Sequence, residues 1–316
     1  EITYIENQFN LGKIKDFQGI KKGIENTNYL ILTQNKKYIL TIFEKRVHGG
    51  CKYNDLIFFT KLMAKLSKSK IKCPCPVKNK KGNYIFKLKN KNACIVSFLK
   101  GKDKKQLNAK DCFAVGKNIA KLHKVSTKLK LYRKNTLSVN SWARLLSKID
   151  NRINKNSKNF KRIMFDDLKY IKKNWPKNLP NGIIHCDLFV DNIFFNKNQF
   201  YGFIDFYFSS NDFLSYEIAT CVNALCFTKR KSKFVLDKKK SKKLIKGYET
   251  IRKLTNKEKL SFSVLCRGSA LRYLLTRSYD YLNTPKNAVI KIKDPKEYLQ
   301  KLNFHRNIRS FNQYLN

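Results

Sequence analysis

Residues 182–206 read Gly182-Ile-Ile-His185-Cys-Asp187-Leu-Phe-Val-Asp-Asn192-Ile-Phe-Phe-Asn-Lys-Asn-Gln-Phe-Tyr-Gly-Phe-Ile-Asp205-Phe206. Gly182-Ile-Ile is a short apolar run, and the polar stretch after it reads as a loop. Ile193-Phe-Phe and Tyr201-Gly-Phe-Ile are apolar runs separated by Asn196-Lys-Asn-Gln, which has the composition of a hairpin turn. The second run ends in a carboxylate. A loop, a hairpin and an acid at the end of its second strand bring Asp187, Asn192 and Asp205 to one mouth.

Acidic and amide residues in loops are often plain turn formers. This spacing says more. H-x-D-x-x-x-x-N followed by a carboxylate on an apolar strand is the set that phosphoryl transfer from ATP needs. One carboxylate orients and accepts the proton of an attacking hydroxyl, here Asp187. An amide oxygen and a second carboxylate, Asn192 and Asp205, hold Mg²⁺ against the triphosphate.

The chain has 316 residues, 42% of them hydrophobic, with 23 Phe and 16 Tyr, which suits a packed globule of two lobes. No apolar stretch approaches the roughly 18 residues of a membrane span, and the N-terminal region lacks a signal-peptide core, so a cytoplasmic protein is expected. The absence of Met before Glu1 reads as trimming or an omitted initiator. The nine cysteines are scattered, and Cys73-Pro-Cys75 has no second cluster to complete a zinc site, so structural thiols are expected. The formal charge of +46 raises nucleic-acid binding, yet of 68 basic residues only 12 are arginine, the residue that base-edge reading favours. The lysines are spread over every polar segment, so no specific nucleic-acid partner is expected.

Residues 1–100 read as a β-rich nucleotide-binding lobe. Tyr29-Leu-Ile-Leu-Thr33 and Tyr38-Ile-Leu-Thr-Ile-Phe43 are strands, a helix fits 55–67, and 85–99 hold two more strands. The turn-rich link before Tyr29, with Gly19, Gly23, Asn26, Thr27 and Asn28, stands where a phosphate cradle belongs. It reads equally as an ordinary turn. Thr41 occupies the strand position where kinases carry a phosphate-pairing Lys, and Lys45 or another lysine is left to supply that charge. Ser97-Phe-Leu-Lys-Gly101 reads as a hinge. Residues 101–316 turn helical: Asn108 caps a helix to about Lys124, and further helices fit 142–153, 166–174, 216–227 and 261–282. His123, near the end of the first, reads as a packing residue. The class is α+β, a small β-rich lobe before a larger helical one, the architecture of a protein-kinase-like fold.

These residues together resemble the homoserine kinases built on the aminoglycoside-phosphotransferase fold, over nearly the whole chain. The resemblance rests on Gly23-Ile-Glu-Asn-Thr-Asn-Tyr29, Ile39-Leu-Thr-Ile-Phe-Glu-Lys-Arg46, Cys73-Pro-Cys-Pro76 and the motifs at 185–195 and 202–208. Its discriminating part is Arg267-Gly-Ser-Ala-Leu-Arg272-Tyr-Leu-Leu-Thr-Arg277 with Asp294-Pro-Lys-Glu-Tyr298. It implies ATP and Mg²⁺ as cofactors and L-homoserine as acceptor, with His185 and Glu217 bracing the catalytic loop. Glu217 stands where that family has Asp, Cys186 where it has Ala, Val190 where it has Pro and Leu225 where it has Trp. An amino-acid acceptor needs a cation and an anion. Arg267, Arg272 and Arg277 are candidates for the first, equally readable as a salt-bridged helix face, and Asp212 for the second. Other kinases of the same fold, acting on choline-like or aminoglycoside acceptors, and a basic nucleic-acid-binding protein with a lapsed kinase fold are the alternative readings.

Overall fold

The computed structural model describes residues 1–20, 26–44, 52–156, 159–284 and 292–316. Gly23, Lys45 and Arg46 lie outside the described residues. By contact the chain forms two compact units. One comprises Glu1–Asp103, Leu129–Arg133 and Asn192–Phe208, and the other Lys104–Lys128, Lys134–Asp191 and Ser209–Asn316. The later returns to the first unit are invisible to a reading by consecutive stretches.

The first unit opens with helix α1 (Ile2–Gln8) and strands β1 (Ile14–Ile20), β2 (Asn26–Thr33) and β3 (Lys37–Phe43). Helix α2 (Tyr53–Lys68) follows, then β4 (Ile85–Leu88) and β5 (Lys91–Ser97). The five strands form one antiparallel sheet in the order β1-β2-β3-β5-β4. Of the expected link before Tyr29, the described residues are strand. Gly19 belongs to β1, and Asn26, Thr27 and Asn28 open β2, in register with Phe43, Ile42 and Thr41 of β3. Pairing with a strongly apolar neighbour overrides the turn preference of these amides.

Alternation along β3 gives the sheet two different faces. Tyr38 and Leu40 join Ile31, Ile95 and Phe86 in a core capped by Ile5 of α1 and by Phe9 just after it. Phe43 points the other way, to the Tyr207 ring, which also meets Phe59 of α2. The β4–β5 turn has Lys89 and Asn90 at φ 45° and 63°, the geometry of a tight hairpin with both central residues left-handed.

The second unit begins with α3 (Ala109–Ser126), whose N-terminus is built as expected. The Asn108 side chain accepts the Asp111 N–H at 2.9 Å and Asp111 accepts the Asn108 N–H at 3.1 Å. Helix α4 (Trp142–Ser147) is shorter than expected. Asp150 accepts the Arg152 N–H at 2.8 Å, and this local bond starts a separate 3-10 turn over Asn151–Asn156. Helix α5 (Phe160–Asn174) starts earlier than Asp166 because Phe160 and Met164 extend its buried stripe. Strand β6 (Asn181–Ile184) follows, then the hairpin β7 (Ile193–Asn196) and β8 (Gln199–Phe203), which belongs to the first unit. Lys197 and Asn198 at its turn have φ 46° and 60°.

Strand β9 (Ser210–Phe213) pairs with β6, and α6 (Leu214–Leu225) leaves it directly. Phe227, expected at the end of that helix, instead opens β10 (Phe227–Arg230), paired with β11 (Lys233–Leu236). Helices α7 (Lys238–Glu249), α8 (Asn256–Asn283) and α9 (Lys296–Arg306) complete the unit. No helix among the described residues is long and apolar enough to cross a membrane.

Helices α3 and α7 cross at backbone contact through two glycines. A Cβ on Gly116 would lie 2.0 Å from the Leu244 carbonyl oxygen, and one on Gly247 2.1 Å from that of Phe113. Gly247→Ala is therefore expected to cost about 3 kcal/mol by overpacking. Asn108→Ala loses one cap, about 1 kcal/mol. Thermal melts check the order: Gly247→Ala should lower the midpoint clearly more than Asn108→Ala.

Candidate active site

The loop after β6 is held from beneath by one buried side chain. Glu217, in the first turn of α6, accepts the backbone N–H of His185 and, at 3.1 Å, that of Cys186. Because β9 runs straight into α6 and pairs with β6, register places this carboxylate under the loop. Cys186 takes φ 68°, a left-handed conformation that turns the chain toward Asp187. Its thiol lies 3.1 Å from the Ser210 hydroxyl, and burial pushes that thiol well above its usual range. The longer Glu side chain reaches both amides. His123 packs fully buried beside it, with Nε2 3.8 Å from the carboxylate and Nδ1 2.8 Å from the Tyr248 hydroxyl. Burial lowers its pKa despite Glu217.

The Cys186 carbonyl is held as firmly. Arg272 Nη1 donates to it at 2.8 Å and the Tyr273 hydroxyl lies 3.0 Å away, itself 3.4 Å from Asp187 Oδ1. Burial raises the Asp187 carboxyl above its usual range, while the charges of Arg272 and Lys293 oppose that rise. Arg272, almost fully buried, is thus a loop brace, with a charge that favours the Asp187 carboxylate.

The other two arginines have separate partners. Residues five apart on a helix point roughly 140° apart, so the three cannot converge. Arg267 Nε donates to Asp167 at 2.6 Å, an acid it shares with Arg306, and its guanidinium stacks 3.9 Å from the Tyr170 ring centroid. Arg277 pairs with Glu297 at 2.7 Å. Both fit the salt-bridged reading.

Asp212 sits on β9 opposite Gly182 of β6, beside the catalytic loop. Its carboxylate accepts from Asn135 Nδ2 at 2.6 Å and from the Phe213 N–H at 2.8 Å. Burial is the largest influence and raises its pKa, while these neutral donors and the more distant Arg272 oppose it. A part-buried carboxylate whose hydrogen-bond donors here are a neutral amide and a backbone N–H has the charge to meet an incoming ammonium group.

Within the first unit, Asn192 and Asp205 are tied to the two strands of one hairpin. The Asn192 carbonyl accepts the Ile204 N–H at 3.0 Å, immediately before Asp205, which takes φ 62°. An amide and a carboxylate are hard oxygen donors, the set that Mg²⁺ takes. Asn26, Thr27 and Asn28 lie on β2 and are engaged across the sheet: Thr27 donates to Glu44 at 2.9 Å and Asn28 accepts from Thr41 at 2.8 Å. They form a polar strand end. Tyr273, Asn135 and Lys293 join the site only through the fold. Tyr273 follows Arg272 directly, and nothing local marks the other two.

Residues 16–252 match the Phosphotransferase enzyme family. A homoserine kinase of Agrobacterium fabrum is 40% identical over 314 residues, covering 99% of this chain and 95% of the relative. One of Sinorhizobium fredii is 41% identical over 306 residues, covering 97% and 92%. The chain belongs to the homoserine kinases of this phosphotransferase family. Solved structures share its fold at low identity. Amicoumacin kinase, in complex with AMP-PNP, Ca²⁺ and Ami, aligns at TM-score 0.73 and 13% identity, covering 98% of this chain and 95% of that one. Choline kinase from Cryptosporidium parvum aligns at 0.66 and 15%, covering 99% and 93%. The protein-kinase-like α+β fold is therefore that of this enzyme.

Glu217→Gln keeps the volume but turns an N–H₂ toward one of the two loop amides. The buried clash and lost bond are worth about 1–3 kcal/mol. A lowered melting midpoint together with reduced turnover is expected, and a melt with steady-state rates checks it.

Proposed function

We propose that this enzyme transfers the γ-phosphate of ATP to the side-chain hydroxyl of L-homoserine, giving O-phospho-L-homoserine, with Asp187 as the group that handles the hydroxyl. The observation that carries the reading is the double restraint on the catalytic loop. Glu217 holds the amides of His185 and Cys186, and Arg272 holds the Cys186 carbonyl. The residue so positioned is Asp187, at the place the phosphotransferase motif gives the catalytic carboxylate. Asp187 accepts a hydrogen bond from the homoserine hydroxyl, aims its lone pair, and takes the proton late in the transfer. Asp212 receives the substrate ammonium, a closer charge partner than the more distant Arg272.

Asn192 and Asp205 are the residues that would hold Mg²⁺. When bound, the ion offsets negative charge on the phosphate oxygens. Gly23, Asn26, Thr27 and Asn28 remain our proposal for the nucleotide side, as backbone and side-chain donors on and before β2. In this reading residues 1–100 are the nucleotide-binding lobe and residues 101–316 the catalytic one, in a cytoplasmic enzyme supplied with ATP.

Asp187→Asn removes the proton acceptor and keeps the shape. Turnover should fall by about 10² to 10⁴ while nucleotide still binds, read by coupled ADP release and by nucleotide titration. Near-normal turnover would overturn the assignment. Asp212→Asn should raise the KM for homoserine roughly tenfold or more, the scale of a lost charge-assisted bond, with the KM for ATP unchanged. An unaltered homoserine KM would remove Asp212 from the substrate site.

A further inference from the structure

The first unit contains an arrangement that the roles proposed above touch only at Asn28. Asn28 on β2, Thr41 on β3 and Cys94 on β5 are directly paired across three adjacent strands, so their side chains stand in one row on one sheet face. Thr41, at the strand position of the missing lysine, is 2% exposed and Cys94 is fully buried. The row is closed by a residue from another part of the chain. The Tyr207 hydroxyl is hydrogen-bonded to Thr41 and lies 3.7 Å from the Cys94 sulfur.

The proton inventory gives these bonds a direction. Asn28 Nδ2 donates to the Asn26 carbonyl at 3.3 Å, which leaves Oδ1 to accept the Thr41 proton at 2.8 Å. With its single proton committed there, Thr41 can only accept from Tyr207. Tyr207 in turn has only acceptor capacity left for the Cys94 thiol. The ring is gripped as well, edge-on to Phe43 at 5.1 Å and to Phe59 of α2 at 5.8 Å.

Tyr207 lies two residues beyond Asp205, whose left-handed φ of 62° is an uncommon conformation that its surroundings must hold. We propose that Tyr207 is a positioning residue for the metal-binding carboxylate, its hydroxyl seated on the Asn28–Thr41–Cys94 row so that Asp205 keeps its turn. At the strand site where related kinases place a charged lysine, this enzyme uses a neutral, directional hydrogen-bond row to aim its metal ligand. The inference rests on the reading of Asn192 and Asp205 as the metal-holding pair.

The test is equilibrium Mn²⁺ binding in the presence of AMP-PNP, followed by the electron-spin signal of free Mn²⁺ against a nucleotide-only blank. Tyr207→Phe and Thr41→Val keep ring and volume and each should weaken Mn²⁺ binding roughly threefold to tenfold, the fold-change of one net hydrogen bond. The double variant should be no weaker than either single one, because both remove the same bond. Thr41→Ser, which retains the hydroxyl, should bind within about twofold of the parent enzyme, and the homoserine KM at saturating Mg²⁺ should stay constant throughout.

Parental Mn²⁺ affinity in Tyr207→Phe, multiplying losses in the double variant, or equal losses for Thr41→Ser and Thr41→Val would each overturn the inference. If Tyr207→Phe fails to fold, the Thr41 pair decides alone. If Asp205→Ala holds Mn²⁺ as tightly as the parent, the metal reading itself falls and takes this inference with it.

Discussion

The interaction on which the catalytic unit depends is one buried carboxylate accepting two consecutive backbone amides. Glu217 receives the N–H groups of His185 and Cys186 at the point where β6 ends and the chain must turn. Unpaired buried amides are costly, so this acceptor makes the left-handed step at Cys186 tolerable. The brace needs Glu217 at the start of α6, and α6 reaches that place because β9 pairs with β6 and runs straight into the helix. Strand register, helix start and loop direction are therefore one constraint.

Charge placement in the second unit follows the same economy of buried groups. Asp167 is fully buried and answered by two guanidiniums, Arg267 and Arg306, which join α5 to α8 and α9. Arg277 and Lys301 share Glu297, and Lys301 also donates to the Asn223 carbonyl at 2.8 Å. Arg272 differs. Its partners are a carbonyl and a phenol, so its charge remains available to oppose part of the rise that burial gives the Asp187 and Asp212 carboxyls.

Much of this was legible in the chain because the signals are local. The cap at Asn108, the strands at 29–33 and 38–43, and the hairpin closing at Lys197-Asn198 depend on neighbours in sequence. The acid–amide–acid set was legible for the same reason, as spacing within one loop and hairpin. What escaped depends on distant partners. Asn26-Thr-Asn28 has turn composition, and only pairing with β3 makes it strand. The three arginines of α8 look equivalent in sequence, yet Asp167, the Cys186 carbonyl and Glu297 assign them to three surroundings. Tyr207 reads as one more aromatic until register sets Thr41 beside Asn28 and Cys94.

The proposed chemistry turns on the identity of the acceptor. Phosphorus NMR of the folded enzyme with Mg-ATP should be recorded with L-homoserine, choline, an aminoglycoside, or no acceptor. A new phosphomonoester resonance with L-homoserine, and with none of the others, is the predicted result. Transfer to choline or the aminoglycoside in preference to L-homoserine, or no transfer to homoserine from protein that binds Mg-ATP, would contradict it.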